Sequence, residues 1–147
     1  MKQILYVLLT FLSVQVSAKP KVDLTNFPQG FTPKEVGARL GRHFIPGEHF
    51  LHGGKWIHYA EVCTWLGALR YAQVAEDKEL IGMLEKRFEP LFNAEKAYLP
   101  IKNHVDLNMF GCLPLEFYQV TKDKKYYDLG MPYADTQWEL PENVGPE

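Results

Sequence analysis

Tyr71-Ala-Gln-Val-Ala-Glu-Asp-Lys-Glu-Leu80 aligns without a gap on Phe117-Tyr-Gln-Val-Thr-Lys-Asp-Lys-Lys-Tyr126, the most informative internal feature of the sequence. Gln73 pairs with Gln119, Val74 with Val120, Asp77 with Asp123 and Lys78 with Lys124, and Leu69 and Leu115 keep the same 46-residue offset. Each copy reads as the end of one helix, a tight polar turn and the start of the next, with an aspartate where a helix cap is wanted. The repeated unit is a helical hairpin. Such a unit buries its apolar faces against its neighbours, so hairpins stack as open solenoids or close into rings.

Helical signals extend outward from both copies. Thr32-Pro33-Lys34-Glu35 carries a capping threonine, a proline at the first helical position and a glutamate three residues after the cap, predicting a helix to about Phe44. A second helix is predicted over about Trp56–Ala75, where Val62, Trp65, Leu66, Leu69, Ala72 and Val74 keep largely helical spacing. A third opens at Asp77 and ends near Pro90. A fourth spans about Leu107–Thr121, with Pro114 expected to bend it, and a fifth covers about Lys124–Trp138, interrupted by Gly130 and Pro132 and ended by Pro141. No stretch alternates with period two for long enough to argue a sheet. The expected class is all-α, with between two and three hairpins in residues 32–147.

The ends carry other information. Lys2, the apolar run Ile4–Leu12 and Val16-Ser17-Ala18 read as a signal peptide over residues 1–18, too short to span a membrane. Export to the periplasm or exterior is expected, with no stable membrane anchor. Residues 19–31 read as an irregular arm. Without the leader, 15 basic residues face 18 acidic ones, a net charge of −3, and a nucleic-acid binder would show a basic excess instead. At 46% hydrophobic and 14% aromatic, the chain is globular. Cys63 and Cys112 are too few for a disulfide scaffold and sit in apolar helical patterns, where buried thiols act as small hydrophobes.

Several residues can carry chemistry. Asn103-His104-Val105-Asp106-Leu107-Asn108 lies where a loop enters the fourth helix, a placement that suits a substrate-facing acid and equally an ordinary helix cap. Tyr59, Trp65, Phe110, Tyr118 and Trp138 are candidates to line a sugar-binding cleft, although aromatic residues at helical spacing are more often core. Glu61 and Glu116 are acids internal to helices. His43, His49, His52 and His58 cluster in sequence but straddle a Pro-Gly and Gly-Gly loop without a ligand spacing, so no metal is expected. Arg39, Arg42, Arg70 and Lys102 are cations available to a substrate carboxylate.

These segments resemble one family. Trp56 to Ala72, with Tyr59 followed eight positions later by Gly67, is similar to the first inner helix of the unsaturated glycuronyl hydrolases, glycoside hydrolase families 88 and 105. His104-Val-Asp106-Leu-Asn108, then Gly111, Leu113, Pro114, Leu115, Tyr118 and the Lys122–Tyr126 turn, resembles their second hairpin, and Tyr133–Trp138 continues the likeness. The resemblance implies an (α/α)6 toroid of six hairpins that needs no metal or organic cofactor. It also implies an oligosaccharide substrate, of the pectin or rhamnogalacturonan type released by lyases, whose terminal uronic acid carries a C4=C5 double bond. In the implied mechanism an aspartic acid protonates the vinyl ether at C4, water adds at C5, and the hemiketal opens to release the sugar.

Carried over residue by residue, Asp106 matches the second-hairpin aspartate facing the unsaturated ring, and Tyr59 an aromatic residue of the same pocket. His104, Asn108, Trp65 and Trp138 are the further substrate-binding candidates. The family's principal acid/base aspartate lies in a Trp-x-Asp context beyond Glu147, so the sequence is expected to be an N-terminal portion, inactive alone. Six hairpins at this repeat length would need roughly 280 residues. The alternatives are a short helical-repeat binding module without catalysis, and another six-hairpin carbohydrate enzyme such as a lyase or epimerase.

Overall fold

The computed structural model describes residues 25–138. The signal peptide, the start of the arm and the stretch containing Pro141 lie outside the described residues. Helix α1 (Pro33–Phe44) begins at the capping box expected for it. Thr32 Oγ1 accepts from Glu35 N at 3.2 Å, and a Glu35 carboxylate oxygen accepts from Thr32 N at 3.0 Å. Two orphan amides are thus satisfied reciprocally.

The segment after α1 departs from expectation. Trp56 and Ile57 do not open a helix; they form strand β2 (Trp56–Ile57), antiparallel to β1 (Leu51–His52) in a two-stranded ribbon. Gly53 and Gly54 turn it with φ of 57° and 71°, a left-handed path that side chains resist and glycine takes freely. Helix α2 (Tyr59–Val74) therefore starts three residues later than its apolar spacing suggests, capped by His58, whose Nδ1 accepts from Ala60 N at 3.1 Å.

Helix α3 (Lys78–Phe88) follows a turn in which Glu76 is left-handed, φ 54°, and Asp77 caps by accepting from Leu80 N at 3.0 Å. Helix α4 (Cys112–Thr121) leads through an equivalent turn into α5 (Lys124–Thr136): Lys122 is left-handed, φ 61°, and Asp123 caps by accepting from Lys125 N at 3.0 Å. The matched sequence thus reports matched local structure. Leu80 and Tyr126, which end the two copies, are both fully buried.

Two short 3-10 turns, Glu89–Phe92 and Lys96–Tyr98, carry the chain out of α3. A third, Asn108–Gly111, precedes α4, so the single helix expected from Leu107 is broken at Gly111 rather than bent at Pro114. Pro114 is the third residue of α4, where its missing N–H costs no intrahelical bond. Gly111 is where the path must be tight. A β-carbon there would fall 2.4 Å from Tyr133 Cβ, and one on Gly130 would fall 2.7 Å from Leu115 Cγ. Helix α5 runs through both Gly130 and Pro132 and ends two residues before Trp138.

The core is a set of rings at the centre of these helices. Trp65 lies 5.5 Å from Phe88 between ring centroids, Phe88 5.2 Å from Phe117, and Phe117 stacks on Tyr126 at 5.2 Å. Tyr133 is sealed at the side of Phe110, its hydroxyl donating to Pro100 O at 2.7 Å, and burial pushes its ionisation up to about 12. The chain is predominantly helical, as its periodicity predicts. Cys63 and Cys112 are free and exposed, correcting the expectation that both are buried. Cys63 Sγ rests 4.0 Å from Met109 Sδ. Among the described residues no helix is long and apolar enough to cross a membrane.

Candidate functional site

The glycine turn of the ribbon and the start of α2 place a row of rings at one end of the helices. Phe50 lies 4.5 Å from His58, His58 4.4 Å from Tyr59, and His52 5.6 Å from His58. His104, from the loop leading to α4, meets His52 edge-on at 6.1 Å. Tyr59 and His104, from distant parts of the sequence, are thus linked through the rings of His58 and His52. Phe50 is 57% and Tyr59 42% exposed, so both rings reach solvent beside His58.

Asn103, His104, Val105, Asn108 and Gln137 line an adjoining cavity of about 350 Å³. Asn108 is tied down within it: its Nδ2 donates to Tyr133 O at 2.9 Å, and its Oδ1 accepts from Asn103 N at 3.3 Å. These bonds fasten the loop to α5 and give Asn108 a positioning place. His104 Nδ1 accepts from Leu107 N at 3.4 Å, so the histidine, and not Asp106, takes the capping part in this turn. Asp106 is exposed in the same loop and makes no hydrogen bond or ion pair to another described residue.

The remaining candidates separate. Trp65 has no exposed surface and belongs to the ring core, which removes it from any substrate cleft. It lies one turn after the buried Glu61, on the inward face of α2. Trp138 is 84% exposed just beyond α5, one residue after Gln137 of the cavity wall. Of the four cations, Arg42 is held by Asp77 and Glu79, Arg70 by Glu116 at 3.3 Å, and Arg39 donates to Gly30 O at 3.1 Å. Lys102, two residues before His104, is exposed, with its ammonium 6.0 Å from the Tyr133 ring.

A second polar centre escaped sequence reasoning as a unit. Glu61 is 5% exposed and accepts from His49 Nδ1 at 2.6 Å, Phe50 N at 2.5 Å and Arg87 Nη2 at 3.0 Å. Burial pushes its ionisation up, but the three donors outweigh burial and hold the carboxyl below its ordinary value. The Arg87 guanidinium lies over the rings of Phe44 and Trp65, at 4.5 Å and 5.2 Å, and its Nε and the Trp65 indole nitrogen are buried without hydrogen-bond partners among the described residues. The available signal was Glu61 itself, a carboxylate four residues before Trp65 on an otherwise apolar helical face.

Among the described residues no group of three or more His, Cys, Asp or Glu side chains is placed to hold a metal ion. Comparisons of the chain with protein-family models, curated proteins and solved structures give no match.

Proposed function

We propose that this chain binds an oligosaccharide ending in a 4,5-unsaturated uronic acid, and that its hairpins form part of an (α/α)6 ring that removes this sugar by vinyl-ether hydration. The observation that carries the reading is the continuous row of rings from Tyr59 through His58 and His52 to His104, on whose loop Asp106 stands open. Exposed ring faces suit the C–H face of a sugar, and imidazoles suit its hydroxyls. Lys102 supplies a cation to the substrate carboxylate. Asp106 faces the unsaturated ring, while the acid/base aspartate of the completed ring delivers a proton to C4 of the vinyl ether; that residue's carboxylate then takes a proton from the water whose oxygen bonds to C5. The resulting C5 hemiketal opens by breaking its C5–O5 ring bond to give a ketone, and the hemiacetal left at C1 then collapses to an aldehyde, breaking the glycosidic C1–O bond and freeing the alcohol.

The matched Asp77 and Asp123 turns support the hairpin architecture this reading requires. A second reading, saccharide binding without turnover, is favoured by one observation: Asp106 has no described hydrogen-bond partner to set its position, which a general acid needs.

The test is titration with an unsaturated galacturonate disaccharide, followed by NMR and by the ultraviolet absorbance of its conjugated double bond. Shifts centred on Tyr59, His52 and His104, with absorbance lost over time when the whole ring is present and preserved in its Asp106→Asn variant, support the hydrolase. Shifts without absorbance loss support the binding module. Absence of shifts at millimolar disaccharide overturns both.

A further inference from the structure

Residues 45–58, the segment bearing the ribbon, are fastened to the helices through His49 and its neighbours. Arg87 Nη1 donates to Ile45 O at 2.8 Å and Gly47 O at 2.6 Å, and Glu61 accepts from Phe50 N. His49 adds a contact of another kind. Its Nδ1 faces Glu61 at 2.6 Å, and its Nε2 faces Glu95 at 3.1 Å. The Glu61 side chain is 2% exposed, but that of Glu95 is 36% exposed and stands between the 3-10 turns Glu89–Phe92 and Lys96–Tyr98.

A ring set between two carboxylates satisfies both only when both nitrogens carry protons. With one proton, the choice of tautomer is forced. A lone pair at 2.6 Å from a buried carboxylate costs more than one at 3.1 Å from a half-solvated one, so the proton stays on Nδ1. The Nε2 lone pair then opposes Glu95. Beside this contact lies a cleft of about 420 Å³, lined by His49, Leu51, Arg87, Pro90, Glu95 and Tyr98 among others.

We propose that His49 is a proton-operated latch: when doubly protonated it holds residues 93–98 against residues 45–58 through Glu95, and when it loses the Nε2 proton it releases them and opens the cleft. The groups facing it are Glu61 from α2, Arg87 from α3 with Nη2 at 3.4 Å, and Glu95 and the Tyr98 ring from the released segment, with the Trp65 ring stacked at 6.1 Å. Glu48, on the segment of His49 itself, also lines the cleft. The Glu61 hydrogen bond raises the imidazole's ionisation, burial and Arg87 oppose it, and the net direction is upward. The latch is therefore closed in mild acid and opens as pH rises through a value above the ordinary one of about 6.5. It stands independently of the saccharide reading.

His49→Gln is the obvious variant, but it disturbs the buried Glu61. Glu95→Gln keeps an oxygen acceptor at a half-exposed position and removes only the charge. The measurement is NMR titration of the His49 ring nitrogens, with amide exchange at residues 94–98 corrected for intrinsic base catalysis and referenced to α2 amides. In the unaltered protein, exchange at 94–98 should rise about threefold through the His49 titration, the size expected of a partly exposed charged pair. In Glu95→Gln, His49 should titrate at lower pH and exchange at 94–98 should lose its pH dependence. Identical His49 titration in both proteins, or protection at 94–98 that ignores the titration, overturns the proposal.

Discussion

The Glu61 carboxylate and the Arg87 guanidinium meet at 3.0 Å with side chains 2% and 8% exposed, so neither charge has water as an alternative partner. Removing Arg87 leaves Glu61 to His49 and Phe50 N, and removing the Glu61 charge leaves Arg87 with the Ile45 and Gly47 carbonyls alone; either costs up to about 3–5 kcal/mol. Glu61→Gln and Arg87→Leu should each lower the unfolding free energy measured in urea by an amount of that order. The double variant Glu61→Gln/Arg87→Leu should lose markedly less than the sum of the two single losses, because neither member of the pair is then left charged opposite a vacated partner. Strict additivity would show that the pair is not the unit described.

Gly111 and Gly130 face each other where the entry to α4 crosses α5, and a side chain on either meets its neighbours below 3 Å. Gly111→Ala and Gly130→Ala should each destabilise by about 1–3 kcal/mol through overpacking. Gly67 in α2 and Gly82 in α3 have nothing within 4 Å of the point where an alanine methyl would stand, so alanine there should stabilise by about 0.5–1 kcal/mol through helix propensity. Thermal unfolding of the four variants should divide them by sign.

Asp77 caps α3 and binds Arg42 at 2.8 Å, and the Arg42 hydrogen bond comes first among the influences that lower its ionisation. A depressed carboxylate contributes stability that is present above its unfolded value of about 3.9 and is lost as pH falls through its folded value. Asp77→Asn retains an oxygen for Leu80 N but loses the charge. Its stability should therefore fall less steeply between about pH 4 and more acid conditions than that of the unaltered protein, as urea titrations at each pH would show. An unchanged slope would remove Asp77 from the acid sensitivity of the fold.

Tyr59 and Trp65 occupy the same helix with opposite expectations. Tyr59→Ala should leave the melting temperature nearly unchanged and weaken disaccharide binding by up to about tenfold, the size of one lost aromatic contact. Trp65→Ala should cost about 3–5 kcal/mol of stability, since the whole ring is buried. Calorimetry on both variants separates the two roles.

What could be read in advance followed from local chemistry. The capping box at Thr32 and the aspartate turns at Asp77 and Asp123 are short-range devices, and the helices they start lie where their residues indicate. Trp56–Ile57 misled because an apolar pair beside a helical stripe has helical spacing whether or not the backbone is helical, and the Gly53-Gly54 path decided otherwise. Trp65 misled for a different reason: spacing identifies an apolar face without saying whether that face is lined by ligand or by Phe88 and Phe117. His49, Glu61, Arg87 and Glu95 come from four separate elements and meet only after folding, so no spacing rule links them. Tyr59 and His104 are 45 residues apart in sequence, and the rings that link them include His52, whose place is set by the ribbon.

The anchors of residues 45–58 also impose an order of assembly. Arg87 reaches back 42 residues to Ile45 and 40 to Gly47, whereas the α2–α3 turn is closed by neighbours at Asp77 and Leu80. Closing the longer loops costs more chain entropy than closing the α2–α3 turn, so the expected order has the helix pair gathering first and the ribbon segment laid on afterwards, which the folding and unfolding rates of variants at Phe50 and in the turn would check. Unfolding should run in reverse. Loosening at Phe50 would speed escape from the native state while hardly slowing the return to it, and this protein's persistence under stress would be governed by its ribbon rather than by its core.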